Sequence, residues 1–134
     1  MKTGTILKLS SGIELATGIA LIATPLTLAR LIFGVQFPGD VAALGRLAGI
    51  ALFSLGVACW PADCVTAWPS VRALFIYNLI VALYLAYVGV ATRLVGYLLW
   101  PACILHLVLA VFLAVAFARG IRGNRRGRHD EVRG

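Results

Sequence analysis

The chain has 134 residues, of which 61% are hydrophobic and 13% are charged, and its formal net charge is +7. Soluble domains are about half apolar and a quarter charged, so this composition excludes an ordinary soluble domain and indicates a protein made for lipid. At roughly 20 residues a span, the length holds about four membrane-spanning helices. We therefore predict an all-α, integral membrane four-helix bundle with kinked spans and a short basic cytoplasmic tail.

The apolar stretches predict one transmembrane domain, residues 1–118, whose spans cover about 11–33, 41–60, 71–90 and 94–117. Pro25 and Pro101 lie inside the first and fourth spans, where the missing amide proton predicts a bend. Residues 119–134 are rich in Arg and Gly, and we expect a mobile basic tail there. Asp40 is predicted to cap span two. An interfacial loop from Trp60 to Trp68 is predicted to join spans two and three, and a very short turn near 91–93 to join spans three and four.

The second span carries a face of small residues. At helical spacing Gly45, Gly49 and Gly56 share one side with Leu52 and Cys59, which leaves a nearly smooth groove. Other helices can approach closely along this groove. We interpret the three glycines as helix-packing residues.

A carboxylate in the first span is the sharpest candidate site. Ionisable groups inside a membrane are costly, so Glu14 is a default place to look for function. Glu14, Thr17, Tyr77 and Asn78 are predicted to lie at similar depth and to form an intramembrane polar cluster. Such a carboxylate can bind a proton or a cation. The alternative is that Glu14 caps the first helix or extends to the interface.

Other charged and polar residues suggest weaker sites. His106, near the middle of span four, is interpreted as a ligand for a cofactor or, more simply, as an interhelical hydrogen-bonding residue. Arg30, Arg46 and Arg93 lie at the opposite end of the bundle from the tail, where they would contact an anion or acidic lipid, or act separately at the interface.

The distribution of basic residues predicts the orientation. With four spans, nine of the twelve Lys and Arg residues fall on the side of both termini, so this side is predicted to be cytoplasmic. Because the tail follows directly on a span and lacks stacking aromatics, its partners are predicted to be anionic lipid headgroups rather than nucleic acid. The residues assigned to this contact are Arg122, Arg125, Arg126 and Arg128.

Recognisable catalytic chemistry is missing from the sequence. We find no phosphate-binding loop, HExxH, CxxC or serine triad, and the three cysteines are interpreted as apolar filler. We therefore predict no enzyme, no cofactor, no metal site and no catalytic residue.

Residues 12–25 and 45–60 resemble small four-span bacterial membrane proteins of uncharacterised type. The resemblance implies an α-helical bundle in the bacterial inner membrane and brings no activity with it. Two functions are then in competition. The favoured one is an accessory or scaffold subunit of a larger membrane assembly, in contact with other subunits or with copies of itself. The alternative is a small oligomeric carrier or channel for a proton, cation or small solute that uses Glu14.

Overall fold

The computed structural model describes residues 3–60 and 67–131, with side chains described for 3–60 and 68–119. In these ranges the protein is all-helical. The helices are α1 (Thr3–Ala23), α2 (Pro25–Phe33), α3 (Ala42–Ala58), α4 (Ala67–Ala91) and α5 (Leu99–Glu131), and a single 3₁₀ turn, Gly39–Val41, precedes α3. Four helical segments are long and apolar enough to cross a membrane, namely Thr3–Ala23, Gly39–Ala58, Trp68–Ala91 and Leu99–Arg119.

The first predicted span is two helices in the structure. α1 begins at Thr3, eight residues before the predicted start, and ends at Ala23, because Thr24 leaves the helical region at φ −136° and ψ 59°. Pro25 then occupies the first position of α2, where a residue without an amide proton removes no helical hydrogen bond. The earlier start of α1 places Glu14 near the middle of a long helix instead of near its end.

The second predicted span, 41–60, agrees more closely with the structure than the first. Asp40 accepts a hydrogen bond from the amide of Val41 at 3.1 Å, so its side chain bonds within the 3₁₀ turn just before α3. α3 itself begins at Ala42 and ends at Ala58. The residues of the predicted interfacial loop, including Pro61, Asp63 and Cys64, lie outside the described part of the chain.

The link between α4 and α5 is longer than the very short turn we predicted. It occupies residues 92–98 and packs on the end of α2, where the amides of Gly96 and Leu98 donate to the carbonyls of Ile32 and Leu31, both at 2.9 Å. α5 therefore begins at Leu99, and Pro101 lies in its first turn. A proline at this position has no preceding turn to disrupt.

Backbone contact between glycines holds α1 against α3. A Cβ atom added to Gly18 would lie 2.7 Å from the amide nitrogen of Phe53 and 2.8 Å from the carbonyl oxygen of Gly49. Gly45 and Gly56 lie similarly close to α2 and α1. The small-residue face of the second span is thus covered by helices of the same chain.

The core joins α1, the end of α3, α4 and α5. Leu7, Val71, Leu74 and Leu113 are fully buried there, with Cys59 beside them. Cys103 is also buried, and its thiol donates to a carbonyl of α4 at 3.4 Å. On α4, Asn78 and Ala82 lie on the buried face with Val71, Leu74, Leu85 and Val88, whereas the opposite face carries exposed large apolar side chains, as lipid-facing positions of a membrane bundle would.

α5 continues as a helix through Glu131, beyond the predicted end of the fourth span at 117. The segment predicted as a tail therefore starts as a direct extension of this helix. The side chains of Arg122, Arg125, Arg126 and Arg128 lie outside the described part, so their contact with lipid headgroups stays a prediction.

Candidate functional site

Glu14 lies inside the helical bundle. It is only 1% exposed and occupies the middle of α1, which runs from Thr3 to Ala23. This position is too far from either end of the helix for capping, and the side chain does not reach a surface. Glu14 therefore neither caps the first helix nor extends to a surface, and its side chain is a buried polar group.

The carboxyl group of Glu14 has no hydrogen-bond partner among the described residues. Both of its oxygens are buried and unbonded, and so is the hydroxyl oxygen of Ser11, which lies one turn earlier on α1. Buried polar atoms are nearly always bonded, because an unsatisfied group costs roughly 1–3 kcal/mol. Three such oxygens therefore lie together on one face of α1 without a partner among the described residues.

Asn78 of α4 is the centre of the hydrogen bonds beside this carboxyl group. Its amide nitrogen donates to the carbonyl oxygen of Leu74 at 2.8 Å and to the hydroxyl of Ser10 at 3.3 Å. Its amide oxygen lies 2.7 Å from Nδ1 of His106 on α5. Asn78 is fully buried, so a chain of polar groups connects α1, α4 and α5 through the interior.

These bonds determine the tautomer of His106. A carbonyl oxygen only accepts, so the Asn78 atom that contacts Leu74 must be the amide nitrogen, and the atom that contacts His106 must be the accepting oxygen. Nδ1 of His106 therefore carries the hydrogen. In the neutral imidazole, Nε2 then keeps the lone pair and can accept a proton.

Tyr77 connects the two titratable residues. Its ring packs edge-on against the imidazole of His106, with centroids 5.9 Å apart and planes at 80°. Its hydroxyl approaches the carboxyl group of Glu14 without completing a hydrogen bond. The buried residues Ser10, Ser11, Glu14 and Asn78 and the half-buried Tyr77 and His106 thus form one group, which we name the Glu14 cluster.

We expect nitrogen-15 NMR of the protein in detergent micelles to show His106 with a protonated Nδ1 and an unprotonated Nε2 near neutral pH. The second histidine is removed by His129→Gln so that one imidazole is observed. Asn78→Leu removes the acceptor and should abolish this tautomer preference, whereas Ser10→Ala, which removes only the longer bond, should leave it unchanged. A protonated Nε2 in the parent protein would contradict the assignment.

The structure brings together most of the predicted cluster. Tyr77 lies against Glu14, and Asn78 bonds to Ser10, one turn before Glu14 on α1, whereas Thr17 is half-buried on α1 without a side-chain bond among those found in the described residues. His106 makes an interhelical bond to this same cluster, a junction that the sequence did not reveal. Ser10 and Ser11 were missed, although their spacing of four and three residues from Glu14 is the signal that would have found them.

The remaining predicted residues lie apart from the cluster. Arg30, Arg46 and Arg93 are all exposed, on α2, on α3 and in the 92–98 link. A shared anion contact by these three stays a prediction. In the described ranges, no three His, Cys, Asp or Glu side chains come together as a metal site.

The helices and the Glu14 cluster indicate the class of protein. Four long apolar helices suggest a multi-pass membrane protein, and a polar group of side chains is buried between them. The chain matches no known protein family, no curated protein and no solved structure.

Proposed function

We propose that this protein is an integral membrane protein that binds and exchanges a proton or small cation at Glu14, and that it works as a small carrier or channel. The observation that supports the proposal is the carboxyl group of Glu14, 1% exposed and with both oxygens unbonded in the described structure. In this role the four long apolar helices pack around the Glu14 cluster.

An ionised carboxylate is an expensive residue to keep inside a membrane. Insertion scales put the cost at about 3 kcal/mol at the centre of a helix, and burial without a partner adds to it. A carboxyl group with a structural role would have completed hydrogen bonds, as the amide of Asn78 has. Glu14 instead has unbonded oxygens, which a bound proton or a small hard cation would satisfy.

The neighbours of Glu14 suit a group that gains and loses a proton. Nε2 of His106 is a second acceptor, and Tyr77 lies between the two with a hydroxyl that both donates and accepts. The cluster spans three helices, so small movements of α1 against α4 and α5 would change access to the carboxyl group. Relays of Asp, Glu and His inside membranes serve pumps and transporters in this way.

Proton flux into proteoliposomes tests the proposal. Purified protein is reconstituted with a pH-sensitive dye inside the vesicles, and a potassium diffusion potential drives the flux. We expect flux in the parent protein, flux at the rate of protein-free vesicles for Glu14→Gln, and partial flux for Glu14→Asp. Thr17→Val is the matched control on the same helix and should behave like the parent. Repeating the assay with a sodium gradient separates a proton from a metal cation.

Two outcomes would contradict the carrier proposal. One is equal proton or sodium flux in the parent protein and in Glu14→Gln. The other is a folded, reconstituted parent protein that moves neither ion faster than empty vesicles. Helical circular dichroism and a single peak in size-exclusion chromatography establish that each variant is folded.

The proposed setting is the bacterial inner membrane with both termini in the cytoplasm. The charge distribution supports this orientation, since nine of the twelve basic residues lie on the side of the termini and the short tail alone supplies six. Reporter fusions at each terminus of the full chain, and of a chain that ends at Arg119, would measure it. A single unchanged orientation of the shortened chain would show that the tail does not set it.

A role as an accessory or scaffold subunit is the second candidate. It is supported by the outer face of α4, where Tyr84 and Tyr87 are 57% and 62% exposed beside Ile80 and Leu83. The glycines of α3 do not support the accessory role, because α1 and α2 of the same chain cover them. Extraction in mild detergent distinguishes the two roles, since an accessory subunit would leave the membrane in a large particle with other proteins.

A further inference from the structure

A groove separate from the Glu14 cluster lies between the beginning of α1 and the second half of the α5 span. Its volume is about 230 Å³. The polar Thr3 and the cationic Arg119 line it together with five apolar side chains, which are those of Ile6, Val111, Phe112, Val115 and Ala116.

The groove has an apolar part and a charged end. Val111 and Val115 line its length and are exposed, whereas Arg119 lies at the last residue of the apolar segment Leu99–Arg119, level with the start of α1. At 1.5 Å per residue, the distance along α5 from Val111 to Arg119 is about 12 Å. The hydrocarbon of one leaflet is about 15 Å thick, so the groove follows most of one leaflet.

This polarity matches that of a phospholipid in the same leaflet. An acyl chain is apolar along its length, and its phosphate lies at the depth where the apolar segment of α5 ends. The guanidinium group binds phosphate through two parallel hydrogen bonds, a geometry that a single ammonium group does not offer. Free inorganic phosphate would leave the apolar walls uncovered, so the groove and the cation together favour a lipid.

We propose that this groove is a binding site for an anionic phospholipid, with one acyl chain against Val111, Phe112 and Val115 and the phosphate at Arg119. The site is independent of Glu14 and does not require any transport function. It differs from general attraction of lipid to the basic tail, because a groove recognises the chain as well as the charge.

Native mass spectrometry of the full chain in detergent, with added phosphatidylglycerol or phosphatidylcholine, tests this site. We expect the parent protein to retain one phosphatidylglycerol more strongly than phosphatidylcholine. Arg119→Gln should weaken phosphatidylglycerol retention about tenfold, as expected for loss of a charge-assisted hydrogen bond. Val115→Trp should fill the groove and remove retention of both lipids.

Matched controls separate the groove from general effects. Arg93→Gln removes an exposed arginine at the other end of the bundle, and Val108→Trp adds the same bulk at an exposed position of α5 that does not line the groove. Both should behave like the parent. Equal losses in Arg119→Gln and Arg93→Gln, or unchanged retention in a folded Val115→Trp, would overturn the proposal. Arg119→Gln alters an exposed side chain and provides a test even if the tryptophan variant misfolds.

Discussion

Replacement of Glu14 by methionine is expected to raise the free energy of unfolding by about 2 kcal/mol while it eliminates proton or cation binding. Methionine has a similar length and no polar atoms, so it removes two buried oxygens that have no partner among the described residues. The desolvation cost of such unsatisfied groups is roughly 1–3 kcal/mol. A gain in stability together with a loss of activity is the behaviour of a residue retained for function.

Unfolding of the purified protein in mixed micelles, followed by circular dichroism, measures this change. Ser54→Ala is the control, because the Ser54 hydroxyl is exposed and bonds only to a carbonyl of its own helix at 2.8 Å. We expect that variant to remain within about 0.5 kcal/mol of the parent. If Glu14→Met lowered the stability instead, the carboxyl group would have a structural partner, and the site would not be an exchange site.

An alanine at Gly18 or Gly49 is expected to destabilise the protein by about 3 kcal/mol, at the upper end for overpacking a close contact. The nearest atom that a new Cβ would meet belongs to the backbone in both cases, the Phe53 amide nitrogen at 2.7 Å for Gly18 and the Gly18 carbonyl oxygen at 2.8 Å for Gly49. No side chain can rotate to make room. α1 and α3 must therefore move apart along their length.

Gly12→Ala is the matched control on α1, since nothing lies within 4 Å of the Cβ it would add. Because alanine is the better helix former, this variant should be as stable as the parent or more stable by up to about 1 kcal/mol. The same unfolding assay compares the three variants. Equal stability of Gly18→Ala and Gly12→Ala would show that the two helices do not approach as closely as the structure describes.

The glycine contacts also matter for the Glu14 cluster. A Cβ on Gly56 would lie 2.9 Å from the carbonyl oxygen of Ser11, so α3 closes over the part of α1 that carries Ser11 and Glu14. Separation of α1 and α3 would admit water to the unbonded side-chain oxygens of Ser11 and Glu14. The glycine variants should therefore lose the ion specificity of any flux as well as stability.

Part of the cluster could be predicted from the sequence because the signals are local. A carboxylate in an apolar stretch is visible without a structure, and helical spacing places Asn78 on one face with Ala82 and Leu85, all of which are buried in α4. Lys8 and the polar residues around it predict a later start for the first helix than Thr3, so Glu14 lies nearer the middle of α1 than the prediction places it. This error also excluded Ser10 from the predicted site.

Other parts of the site depend on contacts that are remote in sequence. Ser10 and Asn78 are 68 residues apart, and Asn78 and His106 are 28 apart, so no local pattern shows that they meet. The rotation of each helix about its axis decides which polar groups face each other. A lone histidine in an apolar span is compatible with many rotations.

By itself the sequence determined the helical class, the number of long apolar segments and the residues available for chemistry, because hydrophobicity and the helical period are properties of short stretches. The tertiary structure alone decided which surfaces meet. It placed the glycine face of α3 against α1 of the same chain, joined His106 to Asn78, and left the oxygens of Ser11 and Glu14 unbonded within the described bundle. These arrangements follow from close packing between helices distant in the chain, where backbone approach and side-chain bonding select one arrangement among many that the same hydrophobic pattern permits.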